Sequence, residues 1–242
     1  MLILACGPKP EKIVDLPVPF DLNLNTISNG ATLIWSVNRK DNQPISGYNV
    51  YLSEKSLADI FNSWDEGHPD PYNYTPFPGD TDGDKSKETF ELTNLENGKT
   101  YYVSIRTIGL AGIESPPSNE VSFTPLAKGS IQLSTNHMID AGGFCFEQEI
   151  SVPSRDTRCD IYLYSKGDVF GLSSPSRLSG GLRKSKFTLK RTGTTDAATV
   201  KIKKNDLVVV KTKYGRAELR IKNLFNDGLS PYAKIDYVFY PK

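Results

Sequence analysis

Histidine is almost missing from this chain of 242 residues. The two present, His68 and His137, fall in different halves, so a Ser-His-Asp or Cys-His arrangement would need the halves to meet. Cysteine is nearly as scarce, at positions 6, 145 and 159, and no Cys-x-x-Cys pair occurs. That spacing is what a zinc ribbon or a dithiol redox site requires. There is no His-Glu-x-x-His and no phosphate-cradling glycine loop. The run Gly-Leu-Ser-Ser-Pro-Ser at 171–176 is not a nucleophile elbow, because its glycines do not bracket a serine. A carboxylate pair for glycoside hydrolysis depends on separation in space and is not legible here. No apolar run approaches the ~20 residues of a membrane-crossing helix. These gaps predict a protein that is not an enzyme and has no resident cofactor.

Charge is present in quantity but unevenly placed. The whole chain carries a net charge of +1. Residues 1–127 hold 9 Lys+Arg against 17 Asp+Glu, a net of −8; residues 128–242 hold 20 against 11, a net of +9. Such asymmetry fits two domains that attract each other or carry solvated faces, or a basic face for an anionic surface or polymer.

Between Leu95 and Asn119 lies the most structured pattern. Tyr101, Val103 and Ile105 alternate with Tyr102, Ser104 and Arg106, the period of a half-buried strand. Asn97-Gly98 supplies a turn before it, and Pro116-Pro117 leads to a last strand, Glu120–Thr124. Upstream, Trp35 sits in Ala-Thr-Leu-Ile-Trp-Ser-Val, and Gly47-Tyr48 opens Tyr-Asn-Val-Tyr-Leu. With Leu95, Gly98, Tyr101 and Gly-Ile-Glu-Ser-Pro-Pro-Ser, these residues resemble a fibronectin type III domain over about 15–126. The resemblance implies an immunoglobulin-like β-sandwich. It is interrupted at 53–87, where the family has a short strand and turn.

That insertion contains three candidate features. Leu57, Ile60, Phe61 and Trp64 share one face of a short helix, read as a flap over a sheet edge. Pro and aromatics at 68–78 predict an ordered loop, with Trp64, Tyr72 and Tyr74 as a platform for a sugar ring or peptide. Asp80, Asp82 and Asp84 alternate as calcium ligands do, making calcium the one candidate ion, although Lys85 stands where such a loop needs glycine. A solvated acidic turn is the plainer reading of the same residues.

At the start, Ile3-Leu4-Ala5-Cys6 resembles the end of a bacterial lipoprotein signal, shortened here. The resemblance implies lipidation at Cys6, a tether through residue 14, and export. The address would be the outer membrane or cell surface through the lipid anchor, or the periplasm. In an oxidising compartment Cys145 and Cys159 are candidates for a disulfide. Folding two strands, Gly143–Ile150 and Cys159–Ser165, back about residue 152 sets them opposite each other.

From 127 to 242, Val, Ile, Tyr, Phe and Thr recur in short runs between Gly, Asn-Asp and Ser-Pro breaks. This predicts a second antiparallel β-sandwich or barrel, so the fold class is all-β. Cations alternate with apolar residues, as in Lys201-Ile-Lys203 and Arg216-Ala-Glu-Leu-Arg-Ile-Lys222, which points them outward. Lys201, Lys203, Lys211 and Lys213 are the candidate ligand-binding cations. The final strands also faintly resemble the HmuY-type haem-binding lipoproteins. That family uses paired histidines, and this half offers only His137.

The expectation is a monomeric binding or adhesion module for a protein or an anionic glycan, with no nucleic-acid partner. The alternatives are a carbohydrate-binding accessory module of a polysaccharide-degrading system, and haem capture.

Overall fold

A computed structural model describes residues 16–38, 45–62, 69–79, 86–178, 183–226 and 228–242. The chain forms two compact units. The first holds the described residues up to Asn25, with Thr32–Glu91 and Thr100–Phe123; Thr26–Ala31 and Leu92–Lys99 group with Thr124–Lys242 in the second.

In the first unit the period-two runs form strands. Two three-stranded sheets pair in the orders β1-β2-β4 and β3-β5-β6, with β1 (Phe20–Ile27), β2 (Gly30–Ser36), β3 (Ile45–Ser53), β4 (Lys87–Leu92), β5 (Tyr101–Gly109) and β6 (Val121–Phe123). Val50 faces Ile105 and Leu52 faces Val103 in the β3–β5 ladder. Val50, Ile105, Leu33 and Trp35 are fully buried, and the Trp35 ring meets Tyr48 edge-on at 5.3 Å. Burying such a set at about 25 cal/mol per Å² is what holds two small sheets together.

The described part of the insertion is ordered. Helix α1 (Leu57–Asn62) lays Leu57, Ile60 and Phe61 on Tyr51, so it covers the outward face of β3 and not a sheet edge. Residues 72–77 run along the free edge of β3. Tyr48 and Phe77 exchange backbone hydrogen bonds of 2.8 and 2.9 Å, and the Tyr72 N–H donates to the Val50 carbonyl at 2.8 Å.

The second unit is a sandwich. A six-stranded sheet has the order β13-β12-β15-β16-β17-β7, and a five-stranded sheet has the order β14-β11-β10-β8-β9. In chain order the strands are β7 (Ala127–Ser134), β8 (Gly143–Cys145), β9 (Ile150–Val152), β10 (Ile161–Lys166), β11 (Val169–Ser173), β12 (Lys186–Leu189), β13 (Thr194–Ala197), β14 (Thr199–Ile202), β15 (Leu207–Lys211), β16 (Gly215–Phe225) and β17 (Tyr232–Pro241). One apolar core lies between the sheets, with Phe144, Leu163 and Leu172 from one, Phe146 from the turn after β8, and Phe187, Val210, Leu219 and Ile235 from the other. The sequence reading of a sandwich or barrel resolves to a sandwich.

The proposed Cys145–Cys159 disulfide is not formed; both thiols are free and buried. The expected single strand at 143–150 breaks after Cys145, turns, and returns as β9 to pair with β8. The other side of β8 takes β10 in the register Phe144 to Ile161. Continuing that register sets Cys145 against Asp160, one residue away from the predicted partner. A one-residue slip in a ladder moves a side chain to the other face. The Cys159 thiol instead lies over Gly143, where an added Cβ would come within 2.4 Å of the sulfur, and it donates to the Ile161 carbonyl.

Candidate functional site

The outward face of the six-stranded sheet is built by strict alternation. Along β16, Ala217, Leu219 and Ile221 go into the core, which leaves Arg216, Glu218, Arg220 and Lys222 on the solvent side. β15 does the same with Leu207, Val209 and Lys211 outward, and β17 with Lys234, Asp236, Val238 and Tyr240. Because the ladders are in register, these residues line up across strands. One row reads Lys186, Lys211, Arg216, Tyr240. The next reads Thr188, Val209, Glu218, Val238, Lys128. The third reads Lys190, Leu207, Arg220, Asp236, Ser130.

The first and third rows lie about 13 Å apart, four residues of strand rise. A shallow groove of about 440 Å³ lies over the second and third rows, and its lining includes Leu207, Val209, Glu218, Arg220, Asp236 and Val238. Counting the flanking Lys222 and Lys234, the face presents eight cations and two acids. Three of the cations are paired: Arg216 with Glu218 at 3.2 Å, Lys222 with Asp236 at 3.3 Å, and Lys211 with Asp196 of β13 at 3.5 Å. Lys128, Lys186, Lys190, Arg220 and Lys234 make no ion pair among the described residues. The Ser130 hydroxyl donates to Asp236, and this bond, with Lys222 and Arg220 adding to it, holds the carboxyl below its usual range. The Arg216 guanidinium lies over the Tyr240 ring, 4.7 Å from its centre. An open, cationic, partly aliphatic surface of this kind suits an extended anionic ligand better than a small molecule, which needs concave enclosure.

The four lysines singled out from the sequence do not form one patch. Only Lys211 lies on this face. Lys201 is on β14 of the other sheet, Lys203 lies just past it, and Lys213 sits in the β15–β16 turn with its ammonium 4.9 Å from the Tyr214 ring centre. The remaining cations of the face were visible in the sequence only as outward-pointing charge; their alignment depends on strand pairing, which no single strand records. In the first unit, Tyr72 packs edge-on against Phe90 at 6.1 Å while Tyr74 is fully exposed. Trp64, the calcium candidates Asp80, Asp82 and Asp84, and Cys6 lie outside the described residues. Among the described residues no cluster of three or more His, Cys, Asp or Glu is placed to hold a metal ion.

His137 has a structural setting. Its Nδ1 is 3.0 Å from the Ser154 hydroxyl, which itself donates to the Gly142 carbonyl, and its ring meets Tyr162 edge-on. Burial, with Arg155 nearby, lowers its pKa. Ser154 is fully buried, while the His137 side chain is half-buried.

Comparison with known proteins bears on the first unit. Residues 17–124 match the fibronectin type III domain family. No curated protein matches the chain. Among solved structures, the third fibronectin III domain of human KIAA0343 protein is 19% identical, with 50% of this chain and 93% of that one covered and a TM-score of 0.30. Chicken CNTN1 FN1–FN3 domains are 12% identical over 92% of this chain and 66% of that one, TM-score 0.27. An alpha-L-rhamnosidase from Dictyoglumus thermophilum is 12% identical over 93% of this chain and 25% of that one, TM-score 0.34.

Proposed function

We propose, taking residues 17–124 as a fibronectin type III domain, that the chain is a non-enzymatic binding or adhesion module. In this reading the second unit meets the ligand, an acidic protein surface or an anionic glycan, through the open face of its six-stranded sheet. The observation that supports this most is the excess of cations on one solvent-facing surface, five of them without an ion-pair partner among the described residues. The protein would act as a monomer, exported and held by lipid at Cys6, without cofactor or nucleic-acid partner. Intact mass of the cell-derived protein tests the anchor: a diacylglyceryl addition is expected, and an unmodified chain would remove it.

Retention on an immobilised polyanion tests the binding face. With four or five contacts, affinity should fall about a hundredfold between 50 and 200 mM salt. The double charge reversal Lys190→Glu/Arg220→Glu should abolish retention at the lower salt. Retention unchanged in that variant would refute the assignment. The exposed Tyr74 favours one second reading, carbohydrate contact through the insertion of the first unit. Loss of retention on a neutral polysaccharide in Tyr74→Ala would support it.

A further inference from the structure

Building on the anionic-ligand reading above, we infer that the outward face of the six-stranded sheet is shaped for a linear anionic polysaccharide lying across the strands, along the middle row between the two cationic rows. Three features of this face select this chemistry among polyanions.

Its floor comes first. Val209, Glu218 and Val238 form the middle row, with Leu207 beside them and 40% exposed. Aliphatic side chains at that depth pack against the CH faces of pyranose rings. Stacked nucleobases need open aromatic surfaces instead. The one aromatic ring of the three rows, Tyr240, is covered by the Arg216 guanidinium.

Glu218 and Asp236 come second. A carboxylate in the middle of a cationic face is out of place in a surface made only for dense phosphate, since like charges repel. It is well placed to accept hydrogen bonds from sugar hydroxyls, which a glycan has in excess and a phosphate backbone lacks. Asp236 is held ionised by Ser130 and Lys222, so it is an acceptor throughout the neutral range.

The spacing of the cations comes third. Lys186, Lys211 and Arg216 sit on one side of the floor, and Lys190 and Arg220 on the other. The two lines are about 13 Å apart, and neighbouring strands within a line are about 4.8 Å apart. A chain of sugar rings running between them places carboxylate or sulfate groups within reach of arginine or lysine on either side. Arginine can take either group with two parallel hydrogen bonds.

The experiment measures binding of the full chain to size-defined heparin oligosaccharides, polygalacturonate, neutral dextran and single-stranded DNA at 50 mM salt. Wild type is expected to bind the two acidic glycans at least tenfold more tightly than DNA, and dextran not at all. Arg220→Gln should weaken the acidic glycans tenfold or more. Glu218→Gln is the discriminating variant: it should weaken glycan binding severalfold while strengthening DNA binding, because a hydroxyl acceptor and a repulsive charge are removed together. If Glu218→Gln strengthens all polyanions alike, the face is a general cation patch, and this inference fails while the anionic-ligand reading stands. If no polyanion binds, both fail. Circular dichroism and the unfolding midpoint check that each variant is folded; both substituted residues are solvent-side, so the midpoint should move little.

Discussion

Asp160 is the most demanding residue of the second unit. Its side chain is 1% exposed, and its carboxylate accepts the Phe146 N–H at 2.9 Å and the Arg183 guanidinium at 3.0 Å. Burial raises its pKa above the usual carboxylate value, against the pull of those two partners. Arg183 also reaches Glu147 at 3.5 Å and lies over Tyr214. Arg183→Ala would leave a buried charge unpaired, an expected loss of about 3–5 kcal/mol at neutral pH. Because the folded pKa of Asp160 is raised, its favourable contribution is complete below the unfolded value near 3.8 and lost as pH rises. The Arg183→Ala penalty should therefore shrink as pH falls from 7 towards 4, when protonation relieves the orphaned carboxylate. Urea unfolding across that range measures it, and a constant penalty would contradict this account.

Asp206 works with the opposite sign. Burial alone would raise its pKa, but the bidentate Arg191 contact at 2.7 and 3.1 Å and the Lys203 N–H at 2.8 Å outweigh burial and hold it below the ordinary range. Its contribution is present above about 3.8 and is lost as pH falls through the lowered value. Asp206→Asn should lower the unfolding temperature at pH 7 and leave it nearer the wild type at pH 2. An equal loss at both values would show that the ionised form does not matter.

At the scale of elements, α1 is informative because it should not persist alone. Six residues are far below the length at which an isolated helix is stable. Its start is held by Glu120, which accepts the Leu57 and Ala58 N–H groups, and by the Ser56 hydroxyl, which accepts the Asp59 N–H at 3.4 Å. The Arg106 guanidinium then lies 4.4 Å from the Phe61 ring centre and 5.7 Å from that of Tyr51. Glu120→Ala should cost about 1 kcal/mol, typical of a lost cap, and speed amide exchange across 57–62 while leaving β5 protected. Unchanged exchange would show that the apolar contacts suffice.

Elements were also where the sequence was read best and worst. β2, β3 and β5 were legible because each carries β-branched and aromatic residues around a large buried one, Trp35, Tyr48 or Tyr101. β11 is hard to read in the sequence because Gly171 interrupts it and glycine reads as a breaker. Its reason is steric: an added Cβ would come within 2.3 Å of the Tyr164 ring laid across it. The cysteine pairing failed on register, which is set by which strands become neighbours; β9 turned back onto β8 where a plain hairpin with the next run was expected. The cationic face was half legible for the same reason. Outward cations could be read strand by strand, but not the rows they make.

For the whole molecule, the uneven charge of the sequence acquires a location. The basic surplus of residues 128–242 concentrates on one sheet face, where alternation keeps the opposite side apolar and packed. Edge lysines that only discourage aggregation would not need to line up over five strands around an aliphatic floor.

The most direct test of the central claim is amide chemical-shift mapping of the labelled protein titrated with a size-defined acidic oligosaccharide. Salt-sensitive shifts are expected on β12, β15, β16 and β17, centred on Val209, Glu218 and Arg220. Shifts confined to the β14 edge or to residues 72–77, or none at all, would contradict it.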